Sequence, residues 1–188
     1  MATGTLSPIA AGPLATKDEP RIEIVNGVRT EKSPMGLFAN ILASFLATSI
    51  NTFALPKRMG MSINETPYQI EEDNLRRPDV SYFEFSKFPT LDVLMHDPPA
   101  FEREPNLTIE VVSPTNTIAE MNERIAHFFK TGVQLVWVVL PQSKQVYVYE
   151  STKDCKILEM SDILDGGKVL PGYTLPLVEL FNLPSLLS

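Results

Sequence analysis

Residues 106–141 read NLTIEVVSPTNTIAEMNERIAHFFKTGVQLVWVVLP, and three periodicities follow one another in them. Leu107, Ile109 and Val111 alternate with Thr108, Glu110 and Val112, which predicts a strand that Ser113-Pro114 ends. From 116 to 131, Ile118, Met121, Ile125, Phe128 and Phe129 recur at three- and four-residue steps, so this stretch is an amphipathic helix closed by Gly132. VQLVWVVL (133–140) is a short run that is apolar apart from Gln134, the pattern of a strand buried on both faces, with Trp137 in the core. Two strands joined through one helix predict parallel pairing by a right-handed crossover. The chain is therefore of the α/β class, and the remaining pairings are expected to be antiparallel.

Working outward, PQSK (141–144) turns into QVYVYES (145–151), which predicts a hairpin with the preceding strand, and CKILEM extends the sheet. Near the start, RIEIVNGVRTEK (21–32) carries apolar Ile22, Ile24 and Val28 around Asn26-Gly27, the dipeptide of a tight hairpin turn. Ser33-Pro34 is placed to open the next helix, and Pro56 to stop it. That segment, 35–55, is uncharged and long enough to span a bilayer. However, Asn40, Ser44, Thr48 and Asn51 form a polar stripe, leaving Leu37, Phe38, Ile41, Leu42, Phe45 and Leu46 as the expected buried face of a core helix. Between 57 and 104 the pattern predicts two or three strands followed by a Pro-rich loop.

Composition narrows the class. With 188 residues, 44% hydrophobic and 21% charged, the chain is sized for one core and is not wholesale disordered. Residues 1–20 read as a flexible arm without the pattern of a secretory signal, and 21–188 as the domain. Cys155 is the only cysteine, which excludes an internal disulfide and a cysteine-rich zinc site and fits a reducing cytoplasm. His96 and His127 lack ligand spacing. At a formal net charge of −7, any attraction for DNA has to come from a local basic surface or from bound metal.

Glu110 is the residue that does not belong in its strand. A carboxylate among Leu107, Ile109, Val111 and Val112 needs a partner, water or a cation. Asp79 follows Pro78 at the start of the strand-like VSYF, where a side chain projects from the sheet edge. Two such acids, with a carbonyl and water, supply the hard oxygen donors that Mg²⁺ prefers. Each taken singly also fits a turn aspartate or an edge glutamate.

Together, RRPDVSY (76–82), PNLTIEVVSPTN (105–116), EMNERIAHFFKTGVQLVWVVLP (120–141) and LDGGKVLPGYTLPLVELF (164–181) resemble the Uma-type family of restriction endonucleases, within the wider PD-(D/E)XK nuclease superfamily. The resemblance implies a restriction-endonuclease-like mixed sheet flanked by helices. It also implies a Mg²⁺- or Mn²⁺-dependent endonuclease acting on DNA phosphodiester bonds. On that pattern Asp79, Glu110 and the carbonyl of Val111 hold the metal, and Glu23, before the Asn-Gly turn, makes a supporting contact to metal-bound water; alternation alone allows Glu23 to be an exposed strand residue.

The chain departs from these patterns in two respects. Val112 stands where a lysine usually follows the strand acid; in the Uma-type pattern that lysine lies on the next helix, at the position of Arg124. Arginine keeps the positive charge for a phosphate but not the proton transfer, which leaves nucleophile activation to the metal. Glu120, four residues earlier, is placed to pair with Arg124, and Arg76 and Arg77 either touch a phosphate or are simply solvated. Two readings therefore lead: an active endonuclease, for which a symmetric homodimer is one way to cut both strands, or a catalytically weak or inactive nuclease fold that binds nucleic acid or protein; a weaker third is a membrane-attached protein using Met35–Leu55.

Overall fold

In the computed structural model, which describes residues 21–182 apart from 72 and 115, the chain runs through a hairpin of β1 (Ile22–Val25) and β2 (Val28–Glu31) into helix α1 (Leu37–Ala54). There follow β3 (Gly60–Asn64), β4 (Tyr68–Glu71), β5 (Asn74–Arg76), β6 (Val80–Glu84), the short helix α2 (Leu91–Met95) and β7 (Leu107–Val111). Helix α3 (Ile118–Lys130) leads to β8 (Leu135–Leu140), β9 (Gln145–Ser151), β10 (Asp154–Leu158), β11 (Ile163–Gly166), β12 (Leu170–Pro176) and α4 (Leu177–Phe181). The arm expected over 1–20 lies outside the described residues, as do the last six residues of the expected domain.

Six strands form the central sheet in the order β10-β9-β8-β7-β6-β3. As the apolar run around Trp137 predicts, β7 and β8 pair in parallel, from Leu107 opposite Leu135 to Val111 opposite Val139, with α3 as the connection. Every other strand pairing among the described residues is antiparallel. The Asn26-Gly27 turn forms as expected, with φ of 49° and 76°, the left-handed pair that this dipeptide tolerates. Its hairpin joins a second sheet of order β2-β1-β5-β4. Four strands, rather than two or three, occupy the weakly patterned region, and Leu91–Met95 is helical where a loop was expected, capped by the Thr90 hydroxyl.

One face of the central sheet, formed by Val80, Tyr82, Leu107, Ile109, Trp137 and Val139, packs beneath α1. The sequence reading of that helix needs correction. Leu42 and Leu46 are buried as expected, but Leu37, Phe38 and Ile41 are 81%, 40% and 38% exposed. The inward row is Ala39, Leu42, Ala43, Leu46, Ala47 and Ile50, because alanines let the helix backbone approach the strands closely while three large side chains fill the gaps. Each of Leu42, Leu46 and Ile50, fully buried, contributes about 1.5–3 kcal/mol of transfer free energy. Asn51 uses its amide to clamp the backbone of Ser62 in β3 from both sides, at 2.7 and 2.9 Å. The helix is long and apolar enough to cross a bilayer, and it lies here on the sheet. Gly36, not Ser33, precedes its first turn, and no side chain caps it.

On the opposite face Phe83, Val136 and Val138 meet Ile125 and Phe128 of α3. Thr117 and Glu120 cap this helix reciprocally, and Gly132 follows it at φ 100°.

Candidate functional site

Four segments that are distant in sequence converge where β6 begins and β7 ends. The ladder between these strands runs from Tyr82 opposite Leu107 to Val80 opposite Ile109. Asp79, one residue before β6, continues the ladder with its side chain: Oδ2 accepts the Val111 N–H at 2.8 Å. Its Oδ1 takes the ammonium of Lys32 at 2.6 Å, and the same Nζ donates to the Arg77 carbonyl at 2.7 Å. Lys32, just past β2, thereby ties the N-terminal hairpin to the Arg77-Pro78-Asp79 segment.

Glu110 follows from the alternation of β7. Ile109 and Val111 face α1, so Glu110 faces α3, where it is 4% exposed. Its Oε1 accepts from Arg124 Nη2 at 2.7 Å, and Oε2 accepts no hydrogen bond among the described residues. Burial pushes this carboxyl up to about 7, opposed by Arg124 and Lys32 and reinforced by Asp79 and Glu23.

Arg124 reaches across from α3 with a fork that no lysine could supply. Nη1 meets Glu23 Oε2 at 2.5 Å, and Nη2 meets Glu23 Oε1 at 3.0 Å as well as Glu110. Burial alone would lower its pKa, but Glu110 and Glu23 outweigh burial and raise it, so the guanidinium stays charged. Glu23 also accepts the Arg77 N–H at 2.9 Å and has Arg76 Nη1 at 3.6 Å. Burial raises the Glu23 carboxyl, yet Arg124 and these hydrogen bonds bring it below the usual range.

The three predicted acids are thus brought together, each buried, and the strand residue that alternation left open, Glu23, is 4% exposed. Three cations, Lys32, Arg76 and Arg124, balance them. Two expectations for the arginines and Glu120 need correction. Glu120 does not pair with Arg124; it accepts the Thr117 N–H at 2.8 Å as half of the helix cap, while Arg124 turns toward the deeper acids. Arg76 is not solvated but 3% exposed, and Arg77 donates to the Glu65 carbonyl. Sequence reasoning missed Lys32 altogether, because nothing in RTEK marks one basic residue as inward. Trp137 is core as expected, and His127 is buried at 8% exposure.

Asp79, Glu110, Val111, Glu23, Lys32 and Arg124 all line one cavity of about 490 Å³ between the hairpin and α3. Two carboxylates where β6 begins and β7 ends, one with an oxygen that accepts no hydrogen bond among the described residues, fit the oxygen-donor chemistry of a divalent cation. Among the described residues no three acids, histidines or cysteines stand as a ready-made ligand group, and Lys32 and Arg124 occupy oxygens of the two acids.

A crystal structure of a putative nuclease belonging to DUF820 from Anabaena variabilis ATCC 29413 has the same fold, with a TM-score of 0.79 at 23% sequence identity, over 93% of this chain and 98% of that one. No curated protein matches the chain. The Uma2 family model, described as "Putative restriction endonuclease", matches residues 12–178, which include all four converging segments, and the chain belongs to that family.

Proposed function

We propose that this protein is a Mg²⁺- or Mn²⁺-dependent endonuclease that hydrolyses DNA phosphodiester bonds in the cavity between the hairpin and α3. The observation that carries this reading is the placement of Asp79, just before β6, beside Glu110 on β7, lining one cavity in which Glu110 Oε2 accepts no hydrogen bond among the described residues. Asp79, Glu110 and the Val111 carbonyl would hold the cation. When bound, such an ion polarises a phosphate oxygen and lowers the pKa of water.

The chain's own residues account for the rest. Arg124 remains charged and offers its guanidinium to a phosphate or a developing oxyanion, but it does not exchange protons near neutrality. Glu23 holds that guanidinium with two hydrogen bonds and so aims it at Glu110. Three acids and three cations balance in the buried cluster, but Glu31, Glu120 and Glu123 also line the cavity, so it is acidic and disfavours phosphate until a divalent charge is added.

A second reading, a nuclease fold that binds without cutting, is favoured by the same charge balance, since the acids are compensated with no ion present. A plasmid-cleavage assay in Mg²⁺ or Mn²⁺ separates the two. The endonuclease reading expects cleavage by the wild type and loss of about 100-fold or more in Asp79→Asn and Glu110→Gln. Equal cleavage by all three proteins removes the site, and no cleavage by any leaves the binding reading.

A further inference from the structure

We propose that Lys32 is a tethered, displaceable counter-cation: its ammonium holds Asp79 while the site is free of metal and competes with a divalent ion for that carboxylate. This rests on the reading of Asp79 as a metal ligand.

The two cations at the site differ in how they are held. Arg124 is locked by a planar fork onto Glu23 and Glu110 together. Lys32 makes point contacts to Asp79 Oδ1 and to the Arg77 carbonyl, with a flexible four-carbon stem and a side chain 12% exposed at the cavity wall. Its backbone N–H is anchored to the Arg21 carbonyl at 2.6 Å, so the freedom to move lies in the side-chain stem rather than in the main chain.

Asp79 Oδ2 accepts the Val111 N–H and Oδ1 accepts from Lys32, so a cation that binds Oδ1 shares it with the ammonium or displaces it. A divalent ion arriving there meets an ammonium within a few ångströms in a cavity of low dielectric, and the two charges repel. The ion therefore enters as Lys32 swings away, and the site's affinity for metal is set partly by a residue that is not a ligand. Lys32 is a positioning residue in this scheme, since it acts through Asp79.

Calorimetric titration of Mn²⁺ into the full chain tests this, with circular dichroism used to confirm that each variant is folded. Lys32→Met should tighten Mn²⁺ binding about tenfold or more, whereas Lys32→Arg, which keeps the charge, should stay within about threefold of the wild type. A merely structural lysine predicts the opposite sign, because losing it would disorder Asp79 and weaken binding. Folded Lys32→Met that binds Mn²⁺ no more tightly than the wild type overturns the proposal and leaves the metal site intact. Absence of binding in every protein overturns the metal reading as well.

A second measurement needs no variant. Labelling of lysines with an amine-reactive acetylating reagent, read by mass spectrometry, should show Lys32 modified severalfold faster when Mg²⁺ is added to the wild type. An unchanged rate at Lys32 in Mg²⁺ counts against displacement.

Discussion

The two faces of the central sheet are made from the same strands and have opposite characters. Along β7, Leu107, Ile109 and Val111 enter a dry layer beneath α1, while Thr108 and Glu110 point toward α3 and end in a cluster of six charges. The first face is held by area: its large side chains are fully buried and depend little on pH or salt. The second has an apolar patch of its own, Phe83, Val136 and Val138 against Ile125 and Phe128, but where β6 begins and β7 ends it gives way to matched charges, which are costly to bury and stable only while each has its partner. Stability and chemistry are thus divided between the faces, and damage to each should look different.

Trp137→Ala breaks the dry face. Its indole is fully buried against Tyr173, so truncation should cost about 3–5 kcal/mol in urea unfolding. Mn²⁺ affinity of the molecules that remain folded should be unchanged. A loss of affinity equal to that of the acid variants would show that the faces are not independent.

On the charged face, Arg124→Met leaves Glu23 and Glu110 buried without their main counter-ion. We expect about 3 kcal/mol of destabilisation at pH 7.5, measured by the same unfolding assay. The loss should shrink toward pH 5, because Glu110, already raised by burial, takes up a proton more readily once Arg124 is gone. A loss that is flat with pH would mean that the methionine packs well enough to replace the ion pair.

The smallest expected effect separates the two glutamates. The folded pKa of Glu23 lies below its ordinary 4.5, so its contribution is present above about pH 4.5 and is lost as the pH falls through the lowered value. Glu110 is raised to about 7, so the folded state binds its proton more tightly and stability declines as pH rises from 4.5 to 7. Glu23→Gln should therefore cost about 2 kcal/mol at pH 6 and progressively less below pH 4.5. A thermal-denaturation series in which this variant and the wild type lose stability in parallel on acidification would contradict the assignment.

Much of the dry face was legible in the sequence, because period-2 and period-3.6 patterns report which side is buried. β7, α3, β8 and the Asn26-Gly27 hairpin all fall where those patterns put them. The facing of α1 was not legible, since alanine carries too little hydrophobic signal to show that it lies innermost. The acids were half legible: Glu110 stood out as a charge in an apolar strand, and Asp79 stood out through the segment shared with the family. The cations were least legible. Lys32 reaches Asp79 across 47 positions and Arg124 reaches Glu23 across 101, and such pairings are created by the topology rather than by any local pattern.

That span of 101 positions has a kinetic meaning. Contacts that close so long a loop are expected to form after local hairpins and helices. Until Arg124 docks on Glu23, the acids lack the partner that makes their burial tolerable, so a partly folded chain holds no assembled centre. The cluster of acids and cations is therefore expected to assemble among the last events of folding, and fragments or nascent chains that stop short of α3 lack Arg124.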